Sequence, residues 1–150
     1  GLEYYHPPTQ DQIDVAEELT SSPDIDFVYG EHAHVVQPYD RMHGTWVVYG
    51  LGNQVAQQDT AVEGVYDGNT CRVTFRERRD GSYKVDKLEY IPTMITHYDG
   101  VHPMRLLNVP ASLDDPKYAS LHSALLATEQ RVTDVIGSLG AFKKGVTEGQ

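Results

Sequence analysis

The chain has 150 residues, enough to bury a real core in one domain, and an ordinary globular composition. A formal charge of −10 excludes a nucleic-acid-binding class, which needs a basic face; the run Arg76-Glu77-Arg78-Arg79 is short and interrupted by a glutamate. No apolar run reaches the roughly 20 residues of a membrane-spanning helix, and the single cysteine, Cys71, excludes an internal disulfide and a thiolate cluster.

The opening Gly1-Leu2-Glu3-Tyr4-Tyr5 has neither a basic nor an apolar leader region and reads as the start of an internal piece. Pro7-Pro8 stops extended structure. Thr9 then offers an N-cap, with Gln12 completing a capping box. Ile13, Ala16 and Leu19, with Val15 nearby, recur at helical spacing, so a helix is predicted over residues 10–20. Ser21-Ser22-Pro23-Asp24 ends it. Ile25 to Tyr29 reads as a short strand closed by Gly30, and Thr45 to Tyr49 as a second, closed by Gly50. Between them Pro38 to Gly44 carries turn chemistry. Helix, loop and strand in succession suit an α/β layer.

The middle of the chain reads as an antiparallel meander: Thr60 to Tyr66, Thr70 to Arg78 and Tyr83 to Ile91. Turns are expected at Asp67-Gly68-Asn69 and at Arg79-Asp80-Gly81-Ser82, and Pro92 is expected to end the last strand. Cys71 reads as a small strand residue, and Trp46 as core. Residues 93–116 read as irregular. A final helix is expected from about Pro116 to Leu139, capped by Asp114 or Asp115, with a fraying Gly/Lys/Glu tail.

The segment that carries chemistry is Gly30-Glu31-His32-Ala33-His34-Val35-Val36-Gln37-Pro38. His32 and His34 stand one residue apart. In a loop just past a strand end they can converge on neighbouring ions or clasp one, and strand-end loops are where α/β folds place their sites. Neutral imidazole suits zinc-, iron- or manganese-type ions. His97 and His102 flank Asp99-Gly100 and read as surface residues, as do His6, His43 and His122.

Three blocks resemble the bacterial capsule-synthesis (CapA-type, poly-γ-glutamate biosynthesis) proteins of metallophosphatase-like fold. Gly1-Leu2-Glu3-Tyr4 is similar to the end of the family's His-Trp-Gly-x-Glu-Tyr element. Gly30 to Pro38 is similar to its Gly-x-His-Pro-His-Val-Val-Gln block, and Val48-Tyr49-Gly50-Leu51-Gly52-Asn53 to its Tyr-Ser-Leu-Gly-Asn-Phe. The likeness extends over roughly the first hundred residues. Ala33 stands for the usual proline, Glu31 for a frequent histidine, Gly50 for serine and Gln54 for phenylalanine.

The resemblance implies an α/β fold: half of a metallophosphatase-like α/β/β/α sandwich, with a mixed sheet, an antiparallel meander and flanking helices. Residues 1–150 would form the C-terminal half of that domain, with no internal boundary. It implies a two-metal phosphoesterase-like centre with manganese, iron or zinc, in which His32 and His34 are metal ligands and Asn53 and Glu3 are polar orienters. The other ligands would come from the N-terminal half of the same domain, so this chain alone is expected to be inactive. The implied address is the extracytoplasmic cell envelope, and the implied substrate a phosphoester or an anionic polymer. A non-catalytic envelope protein that handles or exports such a polymer is the alternative, and pairing of exposed sheet edges with another copy is a third expectation.

Overall fold

The structure is a computed structural model and describes residues 1–56, 58 and 61–150. It is a mixed α/β fold with two sheets and flanking helices.

Helix α1 (Gln10–Thr20) forms where its capping box predicts. Thr9 Oγ1 accepts from Gln12 N at 3.4 Å, and Gln12 Oε1 accepts from Thr9 N at 3.1 Å. Two orphan donors of the first turn are thereby satisfied. The buried face is Ala16 and Thr20, whereas Val15 and Leu19 stand exposed.

The first sheet has the order β1-β3-β2, with β1 (Phe27–Tyr29) parallel to β3 (Thr45–Val48) and β2 (Tyr39–Met42) antiparallel to it. Residues 39–42, expected to be a connection, are therefore a strand. His43 (φ 50°) and Gly44 (φ 89°) make the two-residue turn into β3, the doubly left-handed geometry that matches strand twist. Strand β3 is covered on both faces. Val47 packs with Ala16 and Tyr49 under α1, while Trp46 and Val48 enter the main core.

The second sheet is a long hairpin of β4 (Asp67–Glu77) and β5 (Tyr83–Ile95), joined by β6 (Leu106–Asn108) and, in parallel, β7 (Thr147–Glu148). Four expectations are corrected here. Residues 61–66 form loop and turn, not a strand, and Thr60 lies outside the described residues. Asp67-Gly68-Asn69 is not a turn but the start of β4, paired with Met94, Thr93 and Pro92. Pro92 does not end β5. Ile95 N–H points to Tyr66 O on the β4 side, so three residues earlier the Pro92 nitrogen faces the opposite edge. There it falls between the stretches bonded to β7 and β6, where no ladder bond is lost. Residues 93–116 also hold order, in β6 and the short helix α2 (Val109–Leu113).

The last helix breaks in two. Residues 116–121 form a 3-10 turn capped by Asp115 and kinked at Tyr118, followed by α3 (His122–Gly137). Leu125, Thr128, Val132 and Ile136 are its buried face. The tail does not fray: Gly140 (φ 78°) reverses the chain, Ala141 and Val146 are buried, and β7 docks on β5. One core joins both sheets to α3 and the tail through Tyr39, Trp46, Val48, Leu88, Tyr90 and Val132. Cys71 lies half-buried in β4, beside that core.

Candidate metal centre

The His32–His34 loop leaves β1 at Gly30, whose N–H donates to Val48 O at 2.8 Å. A side chain at Gly30 would press on Tyr49 O, so the loop can pass close to β3 only because this residue is glycine. His32 (φ 89°) and His34 (φ 58°) both hold left-handed backbone. That conformation costs an ordinary L-residue roughly 1–2 kcal/mol. The two imidazoles lie side by side, ring centroids 6.5 Å apart and tilted by 48°.

Their surroundings differ. His32 is exposed and makes no side-chain hydrogen bond among the described residues. His34 is half-buried, and its Nδ1 lies 2.8 Å from Asn53 Oδ1. Asn53, only 6 % exposed, uses its Nδ2 to donate to His34 O at 3.1 Å and Val65 O at 2.9 Å. Two carbonyl partners fix the amide's orientation, so Oδ1 is the acceptor facing the ring. The Nδ1–H tautomer of His34 satisfies this bond and leaves Nε2 as the ring nitrogen without one among the described residues. Gln58 Nε2 also lies 3.4 Å from the same Nδ1. This is how proteins prepare an imidazole to ligate a cation.

Tyr4 completes the wall. Its ring stacks on His34 at 5.9 Å between centroids, its N–H donates to Ala33 O at 2.7 Å, and it too is left-handed (φ 58°). Three of the four non-glycine residues with positive φ among the described residues, Tyr4, His32 and His34, thus stand together. Clustered strain of this kind is characteristic of functional loops. No sequence signal marks Tyr4, because nothing about tyrosine favours this backbone. Glu3 is exposed and makes no hydrogen bond or ion pair among the described residues.

The loop is stapled from below. Gln37, fully buried, donates to Tyr5 O at 3.0 Å and accepts from Gln12 Nε2 at 2.8 Å, tying the first residues and α1 to the site. His6 is half-buried rather than free on the surface, with Nδ1 2.7 Å from Val36 O. Bridges Val36–Leu51 and Gly52–Gly68, with Asn69 N donating to Leu51 O at 2.8 Å, fasten the Asn53 loop to β4. Tyr39 OH donates to Asn69 Oδ1. The residues misread as a turn are thus the anchor of the site.

Below the anchor, Asp67 is buried. It accepts from Thr128 Oγ1 at 2.7 Å and from Arg131 Nε and Nη2 at 2.7 and 3.0 Å. That hydrogen-bonded carboxylate raises the Arg131 guanidinium pKa.

Two imidazoles are a partial ligand set. Among the described residues no group of three or more His, Cys, Asp or Glu comes close enough together to hold an ion.

Residues 1–58 match the family model described as bacterial capsule synthesis protein PGA_cap. The PGA_cap match contains Glu3, His32, His34 and Asn53 and ends before β4. No curated protein matches the chain, and no solved structure matches it. No helix among the described residues is long and apolar enough to cross a membrane.

Proposed function

We propose that this chain is part of a bacterial capsule-synthesis protein and that His32 and His34 are two of the ligands of a divalent-metal centre. The observation that carries the reading is the Asn53–His34 bond in a left-handed loop: it engages Nδ1 and turns Nε2 outward as a candidate ligand atom, beside a second imidazole that makes no side-chain hydrogen bond among the described residues. The match over residues 1–58 supports the capsule-synthesis role and, through it, an address at the cell envelope.

The donor set fits zinc-, manganese- or iron-type ions as a corner of a larger site. The remaining ligands are assigned to the N-terminal half of the same domain. Strand β1 supports that assignment, since among the described residues it is paired on one side only, and Tyr29, Val15 and Leu19 stand exposed. Bound divalent ions would supply Lewis acidity and an activated water for phosphoester hydrolysis. His32 and His34 would hold them, with Asn53 orienting the His34 ring and Tyr4 limiting its rotation.

The test uses protein that contains this chain together with the preceding half. Metal content after manganese or zinc loading and phosphodiester turnover are measured for the parent, His32→Ala and His34→Ala. The parent should retain metal and turn over, and each variant should lose both. A parent that folds yet keeps no metal sinks the reading. Turnover lost without metal loss removes the ligand assignment.

A further inference from the structure

A cleft of about 820 Å³ opens on the other side of Tyr66, between the loop that follows β5 and the helical segment 116–131. It shares no lining residue with the His32–His34 loop. Its floor is apolar: Met94, Ile95, Leu121, Ala124 and Ala127. Its volume lies in the range of small-molecule sites, which are mostly apolar with few polar groups to orient the ligand.

The charges around it are sorted. Asp67 is committed to Arg131 and Thr128. Asp99 is committed to His102, through its backbone N–H at 2.7 Å and its ring at 2.8 Å, and to Val101 N at 3.0 Å. Arg105 and Lys117 also line the cleft, and neither is in an ion pair among the described residues. The Lys117 ammonium lies 5.2 Å from the Tyr118 ring centre, and Tyr118 is itself a wall of the cleft. The His97 ring lies against Tyr66, 3.9 Å between centroids and tilted by 40°, with no hydrogen bond to either ring nitrogen among the described residues. In a chain of charge −10, this cleft presents two cations that are in no ion pair among the described residues, beside an apolar lining.

We propose that this cleft binds a small amphiphilic anion, with its apolar body on the floor and its carboxylate or phosphate head on Arg105 and Lys117. Charge complementarity selects the head. An arginine fork accepts an oxyanion in a bidentate pair, and lysine adds a point charge. A neutral molecule of the same shape would leave both cations unmatched.

The experiment is calorimetric titration of the full chain with decanoate, decyl phosphate and decanol below their aggregation concentrations. Both anions should bind at least tenfold tighter than decanol, and their ratio tells carboxylate from phosphate preference. Arg105→Ala with Lys117→Ala should weaken anion binding at least tenfold and leave decanol unchanged. Ala124→Trp, which fills the floor, should abolish binding of all three. Arg105, Lys117 and Ala124 are exposed, and a thermal melt verifies that each variant is folded. Equal binding of decanol and decanoate, unchanged binding by the double variant, or no binding of either anion by the parent each overturns the proposal.

Discussion

His32 illustrates how a single residue can trade stability for chemistry. Its left-handed backbone carries a strain of roughly 1–2 kcal/mol, which glycine would remove. Glycine also adds freedom to the unfolded chain, about 0.4–1 kcal/mol in the other direction. His32→Gly should therefore gain roughly 0.5 kcal/mol in a urea titration while removing one of the two proposed metal ligands. Asn53→Ala should act oppositely. Val65 O and His34 O would lose a donor, at a cost of about 1–3 kcal/mol, and nitrogen NMR of the His34 ring should show mixed tautomers in place of one. Burial pushes the Cys71 thiol up to about 11. Thiolate at pH 7 is then scarce, on the order of one part in ten thousand, so iodoacetamide should spare the native protein and modify it in urea. Sequence marked His32 and His34 because two imidazoles at that spacing are uncommon after a strand and glycine. It could not show the left-handed backbone of both, which histidine tolerates better than most residues but which spacing does not assign. Nor could it show that Glu3 stands exposed while Asn53 reaches the ring.

At the scale of elements, legibility followed locality. Helix α1 was readable to the residue because Thr9 and Gln12 satisfy each other within one turn. The start of β4 was not, because Asp-Gly-Asn has turn chemistry and only distant partners override it. Leu51, Gly52 and Pro92 hold these residues extended. Gly68 must stay bare: a Cβ there would collide with Asn53 O and sit 2.8 Å from Thr93 Oγ1. The next residue back, Asp67, clamps β4 to α3. Asp67→Asn would leave Arg131 with the more distant Glu63, at 3.9 Å, as its counter-charge among the described residues, and a broken buried pair costs about 3–5 kcal/mol. Arg131 keeps 37 % of its side chain in solvent, which reduces that figure. A thermal melt should fall by roughly 5–10 °C, at about 2–4 °C per kcal/mol for a chain of this size.

At the scale of the molecule, the fold class was legible from the succession of helix, strands and meander, and the structure is the mixed α/β arrangement that pattern implies. The order of the last ten residues was not. Gly, Lys and Glu suggest fraying, yet Ala141 and Val146 complete the core shared by both sheets, and Gly149 N donates to Tyr90 O at 2.9 Å. A chain shortened after Gly140 should lose at least about 2 kcal/mol by urea titration, the worth of a buried valine with its strand contacts. The bonds from Gln37 N to Gly50 O, Tyr49 N to Pro38 O and Asn69 N to Leu51 O, at 3.0, 3.2 and 2.8 Å, have a thermodynamic corollary. A jaw built this way is closed before the proposed cation arrives, so its capture should release hydration water with little ordering of the chain to offset it. Amide exchange at Gln37, Tyr49 and Asn69 should accordingly be as slow as in the centre of β5, and the same with or without the ion.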